Sequence, residues 1–229
     1  MEYCENGSLA TIVKKTGPLE ESLARFVFTQ IASAVHFLHE KQFAHLDVKL
    51  ENILLDKWFN IKLADFGSGV NVTNTRGLTN NKIGTPLYMP PEIKHLKKGE
   101  YYEGLKADIY SLGVTLCLLL FGEIPDFSEF RSQASTMESN EFTDSYDFSG
   151  DVEMGDQMET TTDFQCKSKT TPIQDLLVSM MSEDPKERPT IQEVFSHEWM
   201  YSQSIDGLQE DVYSELKARM DAISEGLTF

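Results

Sequence analysis

Basic residues are scarce in this chain, cysteines scarcer, and no apolar run is long. Of 229 residues, 20 are Lys or Arg against 37 Asp or Glu, a formal net charge of -17. That deficit argues against a nucleic-acid binder or an anionic-membrane binder, since both ligands present phosphate that basic patches must meet. It hints instead at basic peptides as reaction partners. The 3 cysteines, Cys4, Cys117 and Cys166, are odd in number and share no metal-ligand spacing. A reducing compartment follows, intracellular and cytoplasmic, with the nucleus open as well. The longest apolar run, Leu112 to Phe121, is half of the roughly 20 residues a membrane-spanning helix needs, so it reads as a buried helix. No charged, apolar and small succession at the amino terminus resembles a secretory signal. No Gly-Lys-Ser/Thr phosphate loop occurs, and Gly67-Ser68-Gly69 lacks the third glycine of a dinucleotide fingerprint.

What is present describes an ordinary globular chain. Hydrophobic residues make up 40% and charged residues 25%, enough for one substantial core, or a large lobe plus tails. From Leu19 to His39 the apolar residues Leu23, Phe26, Val27, Ile31, Val35 and Leu38 recur at helical intervals, with Gly17-Pro18 marking the start. Ile53-Leu54-Leu55 and Ile61-Lys62-Leu63 flank Asp56 to Asn60 and predict a short hairpin. Ser68 to Ile83, rich in Asn, Thr and Gly, predicts a mobile loop. Ala107 to Phe121 predicts a central helix, in which Asp108 is buried and must find donors. Between Glu123 and Cys166 stand twelve Asp or Glu against Arg131 alone, a segment that cannot bury enough apolar surface to offset its ordering entropy. Packing resumes at Ile173, Leu176, Leu177, Met180 and Met181 and continues through Val194, Phe195 and Trp199. In the last thirty residues Leu208, Val212, Leu216 and Met220 keep helical spacing within a polar, acidic composition. The spacing fits a docking helix, and the composition fits a loosely attached tail equally well.

The chemistry concentrates in His45-Leu46-Asp47-Val48-Lys49-Leu50-Glu51-Asn52 and in Asp65-Phe66-Gly67. The hairpin joins the two stretches and brings Asp47 close to Asp65. Phosphoryl transfer from a metal-bound nucleotide calls for such a set, because catalysis there is mostly positioning and charge stabilisation. Asp47 suits the orientation of an attacking hydroxyl, and Lys49 suits neutralisation of the moving charge. Asn52 and Asp65 offer the oxygen ligands that magnesium prefers.

These stretches resemble the catalytic loop and metal-binding segment of eukaryotic protein kinases. Gly84-Thr85-Pro86-Leu87-Tyr88-Met89-Pro90-Pro91-Glu92, Asp108-Ile109-Tyr110-Ser111-Leu112-Gly113 and Asp184-Pro185-Lys186-Glu187-Arg188-Pro189-Thr190 resemble later landmarks of that family, in the same order. Met1-Glu2-Tyr3-Cys4-Glu5-Asn6-Gly7-Ser8-Leu9 is similar to the hinge between the two kinase lobes, and no glycine-rich loop or strand lysine precedes it. The resemblance therefore implies a mostly α chain within an α+β family fold, the large helical C-lobe with short β-hairpins and with the small β lobe absent. Residues 1–200 would be hinge plus C-lobe, containing the acidic segment at about 123–170, and 201–229 an acidic tail.

The resemblance further implies a Ser/Thr kinase using ATP and Mg2+, since a lysine two residues after the catalytic aspartate is similar to the Ser/Thr branch. Asp47 and Lys49 would be catalytic, and Asn52 and Asp65 would hold metal. Glu2 and Cys4 would read adenine through their backbone, and Leu54 would lie beneath the ring. Thr85 resembles the threonine bridging the catalytic aspartate and lysine. Glu92 and Arg188 resemble a buried ion pair, and His45 and Phe66 resemble packing residues. Leu46 replaces the arginine that normally receives an activating phosphate, which points away from control by phosphorylation at Thr73, Thr75 or Thr79. Two rival readings accompany this one. The chain is a non-catalytic module binding a regulatory partner through its hinge face or acidic segment, or it is part of a longer active kinase.

Overall fold

Gly17 adopts φ 81° and so turns the chain sharply between its first two helices, α1 (Leu9–Thr16) and α2 (Glu21–Glu40). These belong to a computed structural model that describes residues 2–125, 171–201 and 208–226. The acidic segment from Glu123 to Cys166 falls almost wholly outside the described residues. In α2 the buried seam runs through Leu23, Ala24, Val27, Phe28, Ile31, Val35 and His39, while Phe26 and Leu38 are only partly covered. The periodicity is the expected one, but the seam is rotated toward Phe28, whose ring meets Trp199 edge-on at 5.9 Å.

After α2 comes β1 (Phe43–Ala44), then the catalytic stretch, then β2 (Ile53–Leu55) antiparallel to β3 (Ile61–Leu63) with Ile53 opposite Leu63. Asp56 closes the turn between β2 and β3, its carboxylate accepting from the Trp58 and Asn60 amides at 2.8 and 2.9 Å. Residues 68–83 depart from the expected featureless loop. β4 (Val70–Asn71) pairs with β1, and β5 (Leu78–Thr79) pairs with β6 (Tyr102–Glu103). The backbone there meets its hydrogen-bonding needs by ladders to β1 and β6, strands distant in sequence, which composition alone does not reveal.

Short α3 (Pro91–Lys94) leads to α4 (Gly104–Phe121), which begins three residues before the expected Ala107. Of α4's 18 residues 67% are buried, so its apolarity serves the protein core. α5 (Pro172–Met180), α6 (Ile191–Phe195) and α7 (Glu198–Tyr201) cover α4 and α2, burying Leu176, Leu177, Met180, Val194 and Trp199. Thr171 and Thr190 open α5 and α6 with reciprocal capping boxes to Gln174 and Glu193.

The last helix, α8 (Leu208–Ser224), settles the tail question. Val212 and Leu216 are buried in the main core, and Arg219 donates to the Thr16 and Gly17 carbonyls and the Thr16 hydroxyl at 2.8–3.3 Å. It is a docked helix whose cation caps the C-terminal end of α1.

Candidate active site

Asp108 organises the catalytic stretch from beneath. Fully buried near the start of α4, its carboxylate accepts from the His45 and Leu46 amides at 2.8 and 2.7 Å and lies 3.0 Å from His39 Nε2. The buried carboxylate thus finds the donors it needs. Two consecutive amides held by one anion also keep Leu46 at φ 63°, a left-handed conformation that costs a branched residue about 1–2 kcal/mol. That turn directs the next residue, Asp47, toward Lys49, Asn52 and Thr85.

Asp47 is only 8% exposed and its carboxylate is fully engaged. Oδ1 accepts from the Thr85 amide at 3.0 Å and hydroxyl at 2.8 Å. Oδ2 accepts from Lys49 Nζ at 2.6 Å and Asn52 Nδ2 at 3.2 Å. Burial pushes its pKa up, but the hydrogen bonds from Lys49 and Thr85, the Lys49 charge and the Asn52 bond outweigh it, so the pKa lies below the ordinary 3.8. Asp47 is therefore an anion near neutral pH, suited to accept and orient a hydroxyl proton. Lys49 Nζ also donates to Thr85 Oγ1 at 2.7 Å, closing a triangle of Asp47, Lys49 and Thr85.

The amide of Asn52 donates to the Asp47 carbonyl at 2.8 Å as well, which leaves Oδ1 without a protein donor among the described residues. Its backbone carbonyl accepts from Ala64 N at 2.9 Å, tying the catalytic stretch to the residue before Asp65. Asp65 itself sits at φ 61°, which aspartate tolerates, and is exposed, with one carboxylate oxygen 3.3 Å from Gly67 N. One neutral and one anionic oxygen donor fit magnesium, which keeps waters and takes phosphate oxygens besides one or two protein ligands. Among the described residues there is no group of three or more His, Cys, Asp or Glu placed to hold a metal.

His45 is fully buried, with Nδ1 accepting from Asp47 N at 3.3 Å and Nε2 facing the Ala64 carbonyl at 3.1 Å. That network places the proton on Nε2 and leaves no lone pair for general-base work. Its ring stands 5.1 Å from that of Phe66. Phe66 also stands 6.3 Å from the Phe43 ring and is 48% exposed.

The hinge-like residues gather on the outer edge of the β2–β3 hairpin. Asn6 N and Gly7 O bond to Leu55, and Ser8 bridges to Leu54. Glu2 lies 3.5 Å from Lys62, which stands opposite Leu54 in the hairpin register. Burial, then the neighbouring carboxylates Glu2 and Asp56, push the Cys4 thiol pKa up. Glu2 and Cys4 lie beside the hairpin that contains Leu54, whereas among the described residues direct hydrogen bonds join Asp47 to Lys49, Asn52 and Thr85. Below the site Arg188, 1% exposed, grips Glu92 through both guanidinium nitrogens at 2.6 and 2.7 Å.

Two residues escaped sequence reasoning. His39, at the end of α2, supports Asp108, and Tyr88 donates its hydroxyl to Glu51 at 3.1 Å while accepting from Leu50 N. Helical spacing marks neither role. Tyr88 stands within a recognised motif but shows its partner only in three dimensions.

The protein kinase domain family matches residues 1–200, a stretch that contains this whole constellation. The chain belongs to the protein kinase family. Among similar curated proteins, the serine/threonine-protein kinase kin-29 of Caenorhabditis briggsae is 37% identical over 200 residues, covering 87% of this chain and 22% of that protein. The serine/threonine protein kinase OSK3 of Oryza sativa is 32% identical over 207 residues, covering 87% of this chain and 34% of that protein. The fatty acyl-CoA synthetase and RNA processing-associated kinase 1 of Saccharomyces cerevisiae is 32% identical over 201 residues, covering 87% and 21%. The kinase chain thus spans between 21% and 34% of the length of these relatives.

Proposed function

We propose that this kinase chain takes part in transfer of the γ-phosphoryl group of ATP to serine or threonine hydroxyls of protein substrates. The observation that carries this reading is the Asp47 carboxylate, ionised and clamped by Thr85, Lys49 and Asn52 in one hydrogen-bonded unit. Asp47 accepts the hydrogen bond of the acceptor hydroxyl and aims its oxygen, with Thr85 fixing the carboxylate from the other side. Lys49 places a positive charge beside that oxygen. Asn52 and Asp65 would hold magnesium, which supplies charge neutralisation on the phosphates when bound. Glu2 and Cys4 would meet the adenine edge through backbone groups, with Leu54 as the apolar surface beside it. Leu46 carries no charge for an activating phosphate, so control by other means is part of the proposal, as is an intracellular site of action.

The test is magnesium-dependent transfer of labelled phosphate to a basic protein acceptor. Asp47→Asn should lower the rate by about 10²–10⁴, and Asp65→Ala, purified identically, should abolish transfer above background. A magnesium-ATP titration that shows no binding, with no transfer by the unmutated chain, overturns the reading for this chain and leaves the non-catalytic module or a part of a longer kinase in its place.

A further inference from the structure

A cleft of about 570 Å³ opens between α8, α2 and the β2–β3 turn, well within the size range of ligand clefts. Since α8 lies beyond residue 200, this cleft is not contained in the family-wide domain. Phe26, Trp58, Phe59 and Tyr213 supply its aromatic walls, and no Lys, Arg or His stands among its lining residues. Trp58 is 61% and Tyr213 38% exposed, large apolar rings left open to solvent. Phe59 fixes Tyr213 edge-on at 5.3 Å, so that wall is preorganised.

The polar lining is Glu210, Asn60, Gln30 and Gln209, with the Gln30 oxygen already accepting from Ile61 N at 3.3 Å. Glu210 contributes a carboxylate, and the Asn60 amide nitrogen is already bound to Asp56, which leaves its carbonyl oxygen as an acceptor. Ring faces, a carboxylate and a free carbonyl together match a guanidinium, which stacks on aromatics while its fork donates to oxygens. The Trp58 ring already attracts a cation, the Lys57 ammonium, 4.8 Å from its centroid. The volume exceeds one side chain and suits a short segment with an apolar residue next to the arginine.

We infer that this cleft is a docking site for an arginine-bearing, partly apolar peptide segment of a basic partner protein. A second copy of the chain is a poor occupant, because two molecules of charge -17 repel. The inference stands apart from the transfer reaction, since none of the cleft residues belongs to the catalytic unit.

The experiment is fluorescence anisotropy of the full chain with a labelled tetrapeptide of alternating arginine and leucine. Its control is the same peptide with citrulline, neutral and of equal shape, in place of arginine. Saturable binding should weaken about tenfold with citrulline and about tenfold in Trp58→Leu, which removes an exposed ring without opening the core. Tyr213→Ala should weaken it similarly, Glu210→Gln by about fivefold, and Lys57→Ala should tighten it about threefold by removing the competing cation. Binding that ignores Trp58→Leu and Tyr213→Ala but falls with salt overturns the inference, as general attraction to an acidic surface. So does the absence of saturable binding, or concentration-dependent self-association that occupies the cleft.

Discussion

At the scale of single residues, charge and burial decide what each group does. Arg188 and Glu92 meet in a bidentate pair inside the protein, with the Arg188 carbon 5.0 Å from the Tyr110 ring centroid. Replacing Arg188 by Met leaves Glu92 without its partner, and chemical denaturation should show a loss of about 3–5 kcal/mol. Asp47 gives a pH signature of definite sign. Its folded pKa lies below the ordinary 3.8, so its stabilising effect is present above that value and lost as pH falls through the lower folded one. The stability difference between the unmutated chain and Asp47→Asn should therefore be flat from about pH 8 to about pH 5 and shrink below about pH 4. A difference that grows on acidification would contradict the hydrogen-bond assignment.

Among the elements, α8 shows how a polar helix is held. Its composition gives little drive to bury, yet Leu216 is fully enclosed and Arg219 reaches the carbonyls that end α1. Because α1 follows directly on the segment that pairs with β2, α8 also braces the edge near Leu54. Leu216→Ala should cost about 2–5 kcal/mol through the cavity it leaves. Arg219→Ala should cost about 1 kcal/mol and raise amide hydrogen exchange in α8 ahead of α2 and α4. Uniform exchange across all three helices in that variant would mean that α8 is no separate unit of stability.

Over the whole molecule, repulsion among 37 acidic and 20 basic residues opposes the compact state. Sodium chloride raised from about 0.01 to 0.3 M should increase the thermal midpoint, because the Debye length falls below the spacing of most surface charges. Buried pairs such as Arg188–Glu92 should hardly change, and Lys97→Ala, which takes the formal charge from -17 to -18, should show an increase at least as large.

The residues from His45 to Asn52 and Asp65 to Gly67 point to their proposed chemistry in one dimension, because phosphoryl transfer calls for such functional groups. The hairpin and the long helices were equally legible, since local periodicity reports which face is buried. Other features rest on partners far away in sequence. Asp108 meets the His45 and Leu46 amides 63 and 62 residues away, and Arg219 meets the end of α1 across 202 or more. The rotated seam of α2, the two ladders that tie residues 68–83 to β1 and β6 and the docking of α8 were decided only when the core closed. Hydrophobic spacing specifies that a face is buried, but the surface covering it is fixed by packing of the whole chain.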